Sequence, residues 1–437
     1  MNDLSKTVKS TILRRKLISP GDYVLLGLSG GADSLCLLHI LLELQDEMDF
    51  DLCAVHINHG IRGKAADDDA AWVVEHCRKS GVSCVMVQAN VPLYAQKLHL
   101  TEEEAGRHVR REVFAFMAYG LLGDNVSPTH PAYKLRSMYV APNGAPGKPR
   151  AVKIALAHNM QDQAETILMR ILRGTGVHGL TGIQYQSSVD DALEHLARSI
   201  HRHQAALDAN AKGPKANFDS IPPLPPHVIA EREKMLKALD ISIIRPLLDT
   251  SREEIESYCT ENQLQPRVDH TNAEADYTRN KVRLELIPYL EKDFNPNIKQ
   301  TLVRLAANAA EDDEALASAA EQVLHDAEKV IMPAAFLSAS ADAQGEGSKL
   351  SGRSALFSRQ TEIGSISLDA KKLRRQPPAV FKRVIVSEFE KLGLTEGISA
   401  VHLNALWNAV QKNIGGKTIE FPGGFTAELR AGTLTLK

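Results

Sequence analysis

The sequence predicts an α/β fold, with a parallel, doubly wound sheet followed by a helical region that ends in a small β element. Three observations predict it. Apolar, strand-like runs alternate with helical runs from residue 24 to residue 173. Such alternation needs crossover helices, which make the strands parallel and cover both faces of the sheet. The stretch Ser29-Gly30-Gly31-Ala32-Asp33-Ser34 joins the first apolar run to a buried helix, as a tight glycine turn does at the top of a parallel strand. Polar segments also begin where strands end, at Ser29, His56 and His158, and ligands of open α/β sheets bind at those carboxyl ends.

The elements follow in order. Residues 1–16 read as an amphipathic helix with Ile12, Leu13 and Leu17 on its apolar face, ended by Pro20-Gly21. Its lysines and arginines lack the apolar core of a secretory signal; an organelle transit peptide is the weaker alternative. Strands are predicted over 24–28, 51–57, 82–87 and 152–157, and helices over 35–42, 65–80, 102–122 and 163–173. Residues 123–150 and 187–233, the latter with Pro222-Pro223 and Pro225-Pro226, read as long loops. A third loose stretch is 338–358. Between them, 251–261 reads as a helix capped by Thr250 or Ser251, and 297–324 as a long amphipathic helix. Residues 417–437 alternate apolar and polar around Pro422-Gly423-Gly424, a small β element with a turn.

A length of 437 residues predicts two or three domains. The expected division is a catalytic domain over 1–292, with insertions near 123–150 and 187–240, and a mainly helical region over 293–437. The net charge of −3 excludes a polycation, so any nucleic-acid contact must use local basic patches. Lys371-Lys372-Leu373-Arg374-Arg375 and Lys382-Arg383 are such patches, or else solvated helix faces. The five cysteines form no C-x-x-C pair, which argues against a zinc or iron–sulfur site and for a reducing, cytoplasmic setting. No run approaches the roughly 18 apolar residues of a membrane span.

The glycine loop is the strongest chemical signal. A helix N-terminus presents unpaired N–H groups and the positive end of a dipole, and so favours an anion. Gly30 and Gly31 let backbone approach a phosphate, and Ser29, Asp33 and Ser34 can donate to a ligand or cap the helix. The Lys of a Walker A loop is missing. Asp33 in its place suggests a metal or a polarised substrate group. Further segments bear chemistry: His56-Ile57-Asn58-His59-Gly60-Ile61-Arg62; a helix beginning Glu103-Glu104-Ala105-Gly106-Arg107-His108-Val109-Arg110; His158 through Thr166; Arg173-Gly174-Thr175-Gly176; Asp269-His270-Thr271-Asn272; and Arg279-Asn280-Lys281-Val282-Arg283.

In this order the segments resemble the tRNA(Ile)-lysidine synthetases, a branch of the PP-loop ATP pyrophosphatases with a Rossmann-like sheet. The resemblance covers about residues 20–120, 150–185 and 243–295. It implies an enzyme that adenylates C2 of the wobble cytidine of a CAU-anticodon isoleucine tRNA, using ATP and Mg²⁺. The amine of free L-lysine then displaces AMP. On this resemblance Ser29, Gly30, Gly31, Ala32, Asp33 and Ser34 hold ATP, bordered by His56 and Asn58, whose alternative is a strand-end hydrogen-bond network. Asp162 and Glu165, three apart on one helix face, hold lysine or a metal, or else simply acidify a first turn. Asp33, His158, Asp162 and Arg173 would be catalytic, with a glycine-rich helix end as the alternative for Arg173. Arg107, Arg110, Arg279 and Arg283 bind tRNA or phosphate; the first two can instead pair with Glu103 and Glu104, and the last two can brace the fold.

The sequence departs from the family pattern at four places. Asn159 stands where the pattern has a second His, Gln161 where it has an Asp, Gly106 where it has Ala and Arg111 where it has an aromatic. The alternatives kept are another PP-loop tRNA-modifying enzyme and a catalytically impaired tRNA-binding homologue. A homodimer is also allowed for.

Overall fold

The structure is a computed structural model. It describes residues 2–122, 129–130, 133–139, 149–188, 240–267, 277–327, 365–394 and 397–437. The expected loop over 187–233 from residue 189 onward, the loop over 338–358 and the segment Asp269–Asn272 lie outside the described residues. The chain divides into two compact units, Met1–Ala307 and Asn308–Lys437.

The first unit is built on an eight-stranded sheet. In chain order its elements are α1 (Asp3–Arg15), β1 (Tyr23–Gly27), α2 (Ala32–Met48), β2 (Asp51–Asn58), α3 (Lys64–Lys79), β3 (Ser83–Ala89), α4 (Val91–Leu98), α5 (Glu102–Leu122), β4 (Thr129–His130), β5 (Tyr133–Tyr139), β6 (Val152–Ala155), α6 (Met160–Arg173), α7 (Val177–Leu180), β7 (Gln186–Ser188), β8 (Ile241–Ile244) and α8 (Arg252–Glu261). Next comes α9 (Tyr277–Lys281), which runs through a π turn over Val282–Leu286 into α10 (Ile287–Asp293). The helix α11 (Ile298–Ala327) begins in this unit.

The strand order is β4-β5-β3-β2-β1-β6-β8-β7. Its five central strands are parallel, as predicted, and β5 and β7 pair antiparallel at the edges. The chain winds outward from β1 through β2 and β3, then returns to the other side of β1 for β6 and β8. The gap between the ends of β1 and β6 is therefore the topological switch point, where such sheets bind ligands.

The central strands are buried on both faces, as parallel strands must be. Val24 and Leu26 of β1 pack in a core with Leu35, Leu38 and Leu41 of α2, Val73 and Cys77 of α3 and Ile255 of α8. Tyr23 and Leu25, one residue out of phase, pack in a second core with Val109, Val113 and Phe114 of α5. A smaller core joins Ile167 of α6 to Val282, Ile287 and Leu302.

Some expectations are corrected. Residues 123–150 are not one continuous loop, because Tyr133–Tyr139 forms β5 against β3; β-prone Tyr, Leu and Met residues there outweigh the Pro- and Gly-rich flanks. The strand β7 (Gln186–Ser188) runs into the second expected loop, and β8 and α4 were not foreseen. In α1 the buried stripe is Leu4, Val8 and Ile12, while Leu13 is 56% exposed. A step of four residues, not one, keeps a side chain on the same helix face.

The second unit, apart from the C-terminal part of α11, contains β9 (Ile366–Asp369), α12 (Ala370–Arg374), α13 (Pro378–Leu392), α14 (Ala400–Gln411), β10 (Lys417–Glu420), β11 (Thr426–Arg430) and β12 (Thr433–Leu436). The predicted tail element is an antiparallel sheet of order β10-β11-β12-β9. Its inward residues Leu368, Ala427, Leu429 and Leu434 share a core with Phe381, Val384, Ile385 and Phe389 of α13 and Leu406 of α14.

Candidate active site

The glycine loop closes on itself. The Ser29 N–H donates to Ser34 Oγ at 3.2 Å, the Gly31 N–H to Ser29 Oγ at 3.3 Å, and Ser34 Oγ to the Gly31 carbonyl at 3.1 Å. The Arg267 N–H holds the Gly30 carbonyl at 3.0 Å. Gly30 has φ +90°, and a Cβ there would lie 3.2 Å from Val73. Gly31, by contrast, has φ −72° and would bring its Cβ no nearer than 3.5 Å to any protein atom. Nothing in the fold requires a glycine at 31, so the open space in front of it suits a ligand. No side chain caps α2, contrary to the capping role open to Ser29, Asp33 and Ser34, and its first turn is left to meet an anion.

Asp33 leaves the loop sideways. Its carboxylate accepts from Asn159 Nδ2 at 3.0 Å and from Arg252 Nη1 at 2.9 and 2.8 Å. Burial pushes the Asp33 carboxyl up, Arg252 and Asn159 pull it back, and nearby Asp162 pushes it up again. Arg252 was not foreseen as a site residue. It stands at the first position of α8, a helix capped by Ser251 as predicted. A cation at the positive end of a helix dipole is unfavourable unless a carboxylate meets it; here Asp33 and Glu256 do. That misplaced charge was the available signal.

Asn159 explains one departure from the family pattern. It caps α6, accepting on Oδ1 from the N–H groups of Gln161 and Asp162 at 2.9 and 3.2 Å. Asp162 returns the bond to the Asn159 N–H at 3.1 Å, which closes a capping box. The spare amide N–H₂ then reaches Asp33. Gln161, the second departure, donates to Glu165 at 3.2 Å. Both substituted residues are thus bonded to carboxylates of the site.

Asp162 and Glu165 do share a face of α6, and Arg279 and Arg283 meet them. Arg279 donates to Glu165 at 2.8 Å and to Asp162 at 3.0 Å, while Arg283 makes two bonds to Glu165 at 2.6 and 3.0 Å. The Glu165 side chain is fully buried, and a buried carboxylate needs such partners. Burial raises the pKa of Asp162. Arg279 and Arg283, expected on phosphate or to brace the fold, therefore tie α9 and its π turn to α6.

The other predicted residues fall around the same opening. His56 is buried at the end of β2, with Nδ1 2.8 Å from the Leu28 carbonyl at the end of β1. Asn58 binds Asp67 at 2.8 Å and the Gly60 N–H at 2.9 Å, and so shapes the turn after β2. Both contacts form the strand-end network that was the alternative reading. His158 has a buried Nδ1 with no partner among the described residues. Burial and the charges of Arg245, Arg110, Arg279 and Arg107 push its pKa down to about 3, so the ring is neutral. His59 is similarly held down to about 4 by burial and Arg110. Arg107 pairs with Glu103 on its own helix. Arg173 ends α6, exposed, ahead of Gly174 at φ +79°. His59 stands in the segment His56–Arg62 and Arg245 in the segment Arg245-Pro246-Leu247-Leu248, but the sequence assigned neither a role of its own.

Asp162 lies near enough to Asp33 to raise its pKa, and a carboxylate is the donor type that Mg²⁺ takes. In this structure Arg252 and Asn159 occupy the Asp33 oxygens, so a cation fits there only after Arg252 releases them.

A family profile described as the PP-loop domain matches residues 4–121, 146–218 and 226–290, more than half of the chain. The chain is 35% identical over 314 residues to the tRNA(Ile)-lysidine synthase of Clostridioides difficile (strain 630), covering 72% of this chain and 51% of the relative. It is 35% identical over 315 residues to that of Clostridium tetani (strain Massachusetts / E88), covering 72% and 50%. The chain thus spans about half the length of the curated relatives it matches. Among solved structures, the U34-tRNA thiolase NcsA of Methanococcus maripaludis is similar at 20% identity over 70% of this chain and 77% of that chain, with a TM-score of 0.41.

Proposed function

The chain belongs to the PP-loop family, and from that premise we propose that it ligates L-lysine to C2 of the wobble cytidine of a CAU-anticodon isoleucine tRNA. ATP is converted to AMP and diphosphate in the process. One observation carries the proposal: the glycine loop and the carboxylate pair of α6 meet at the β1/β6 switch point, joined by the Asp33–Asn159 bond. On this reading a nucleotide and an ammonium group would bind side by side. The lysidine synthase relatives supply the identity of the reactants.

In this reading the open first turn of α2, with Ser29, Gly31 and Ser34, holds the triphosphate. The cytosine O2 attacks the α-phosphorus and diphosphate leaves. The lysine amine, having lost a proton, then attacks C2, and AMP departs with the former O2. Adenylation matters because a carbonyl oxygen is a poor leaving group. Mg²⁺, if held by Asp33 with the phosphates, would neutralise their charge. Arg107, Arg110 and Arg245 around His158 would stabilise negative charge at the α-phosphate, and Arg173, at the end of α6, would add to them. His158, kept neutral, offers a hydrogen-bonding nitrogen where an imidazolium would compete with lysine. Asp162 and Glu165 would receive the lysine ammonium as Arg279 or Arg283 yields one carboxylate oxygen.

The C-terminal residues 293–437 are proposed to hold tRNA. Lys371, Lys372 and Arg375 there are exposed, whereas Arg374 binds the Val410 carbonyl and Arg383 binds Asp313. Among the described residues no helix is long and apolar enough to cross a membrane, and a cytoplasmic setting fits the substrates.

The test incubates the protein with ATP, Mg²⁺, labelled lysine and the tRNA transcript. Label on the tRNA is expected, and Asp33→Ala abolishes it while tRNA still binds. An unlabelled tRNA, beside an active control enzyme, would refute the proposal. The second reading, an impaired tRNA-binding homologue, rests on the two arginines that already neutralise Asp162 and Glu165; it predicts tRNA binding with no labelling.

A further inference from the structure

A groove of about 610 Å³ lies in the first unit, away from the residues of the candidate active site. One wall is α1, which presents Lys6, Ser10 and Arg14, and the other is the start of α11, which presents Arg304. Arg15 and Tyr185 close one end, with the Arg15 guanidinium 4.5 Å from the Tyr185 ring centre. Four cations therefore line the groove against one carboxylate, Asp249. That carboxylate is already engaged by the Tyr185 hydroxyl and by Thr11. Its contact with Arg14, at 3.3 Å, is made by a guanidinium that is 62% exposed, and such surface pairs are weak. Lys6 pairs with Asp3 at 3.0 Å, again between well-exposed side chains, and among the described residues Arg304 donates only to the Thr301 hydroxyl. In a chain of net charge −3, the groove still carries a local excess of positive charge.

From this arrangement we infer that the groove between α1 and α11 is a docking track for the phosphodiester backbone of the RNA substrate. Lys6 and Arg14 are eight residues apart on one helix, a separation of about 12 Å along the axis. A row of that length outruns a single phosphate and suits a strand of them. The chemistry reads backbone and not bases. Guanidinium, ammonium and hydroxyl groups face the opening, and the one aromatic ring is already covered by Arg15, which leaves no free face for a base to stack on. The Tyr185 hydroxyl and the Asp249 carboxylate, the titratable pair of the groove, are already bonded to each other, so the groove is read as a binding surface. The inference rests on the tRNA reading of the active site and assigns that same substrate a second contact.

The experiment measures binding of the labelled CAU-anticodon isoleucine tRNA transcript across a salt series, for the full chain and for a Lys6→Ala/Arg14→Ala/Arg304→Ala variant. Each cation that meets a phosphate contributes about one unit to the slope of log affinity against log salt. The variant is expected to lose about two to three units of slope and to bind about tenfold more weakly at physiological salt, with ATP binding unchanged. An Arg14→Lys/Arg304→Lys variant should keep the slope, since charge is what is read. An unchanged slope in the alanine variant, with the wild type binding and labelling tRNA, overturns the groove alone. A wild type that binds no tRNA overturns the functional reading together with it. Inorganic polyphosphate forms a separate arm: if the substitutions weaken polyphosphate but not tRNA, the groove takes free phosphates and the RNA assignment fails.

Discussion

The glycine loop and the α6 carboxylate cluster sit at the same switch point but are held by opposite means. The loop is braced mainly within six consecutive residues, by Ser29, Gly31 and Ser34 acting on one another, with one distant bond from Arg267 to the Gly30 carbonyl. The cluster is assembled from far apart: Asn159 reaches Asp33 across 126 positions, and Arg279 reaches Asp162 across 117. A locally braced site keeps its shape cheaply and can stand open for a ligand. A site made of long-range ion pairs couples its chemistry to the stability of the whole unit. Substituting the cluster should therefore cost folding and function together, whereas the right substitution in the loop should cost function alone.

The largest expected effect is at Glu165. Replacing it with Ala removes both Arg283 bonds and one of those of Arg279, leaving the half-buried guanidiniums only Asp162 on α6, and removing one partner of such a cluster costs about 3 kcal/mol. Chemical denaturation of Glu165→Ala should show that loss, and lysine labelling should vanish. A variant as stable as the wild type would mean that the cluster is not a structural tie, and the contrast with the loop would collapse.

The histidines beside the cluster set a pH dependence of the next size. In the unfolded chain a histidine takes up a proton near pH 6.5. Folded His158 and His59 resist until about pH 3 and about pH 4. Because the folded pKa values are depressed, the unfolded state binds more protons in this window. The stability these neutral rings contribute is full above pH 6.5 and falls as the pH drops, by about 2 kcal/mol per histidine at pH 5. Thermal unfolding between pH 7 and pH 5 should show the fall, and His158→Gln should remove about half of the share due to this pair. An equally steep acid limb in that variant would place the protonation elsewhere.

Within the loop, Gly30 is the residue that the backbone itself requires. An alanine there would adopt φ +90° and press on Val73 at 3.2 Å, a strain of about 1–2 kcal/mol. Gly30→Ala should lower the melting temperature by a few degrees and weaken ATP binding. If stability is untouched, the loop is more pliable than its hydrogen bonds indicate.

This difference also decided what could be read from the sequence. The six-residue loop, the alternating strands of the parallel core and the paired spacing of Asp162 and Glu165 are local patterns, and a period or a motif displays them. The partner of Asp33 is Arg252, 219 positions away, and nothing short of the folded sheet brings the two together. Arg279 and Arg283 were visible as a motif, but which carboxylates they face was not. Asn159 was legible only as a departure from a pattern; its work as a helix cap whose amide reaches Asp33 needs the geometry. The strand β5 was hidden because its Pro- and Gly-rich flanks resemble a loop, while its pairing depends on β3.

The smallest effect on folding, and the sharpest division between the two regions, belongs to Gly31. Its φ of −72° is open to any residue, and a Cβ there would meet nothing closer than 3.5 Å. Gly31→Ala should therefore unfold at the wild-type denaturant midpoint, within about 0.5 kcal/mol. The added methyl group would nonetheless stand in the space before the first turn of α2, where a phosphate must approach the backbone N–H groups closely. Affinity for ATP should fall by about tenfold or more, as read by titration with a fluorescent ATP analogue, while tRNA binding persists. Unchanged ATP affinity in a stable Gly31→Ala protein would move the phosphates away from this turn. It would also show that the loop's open geometry has a structural cause after all.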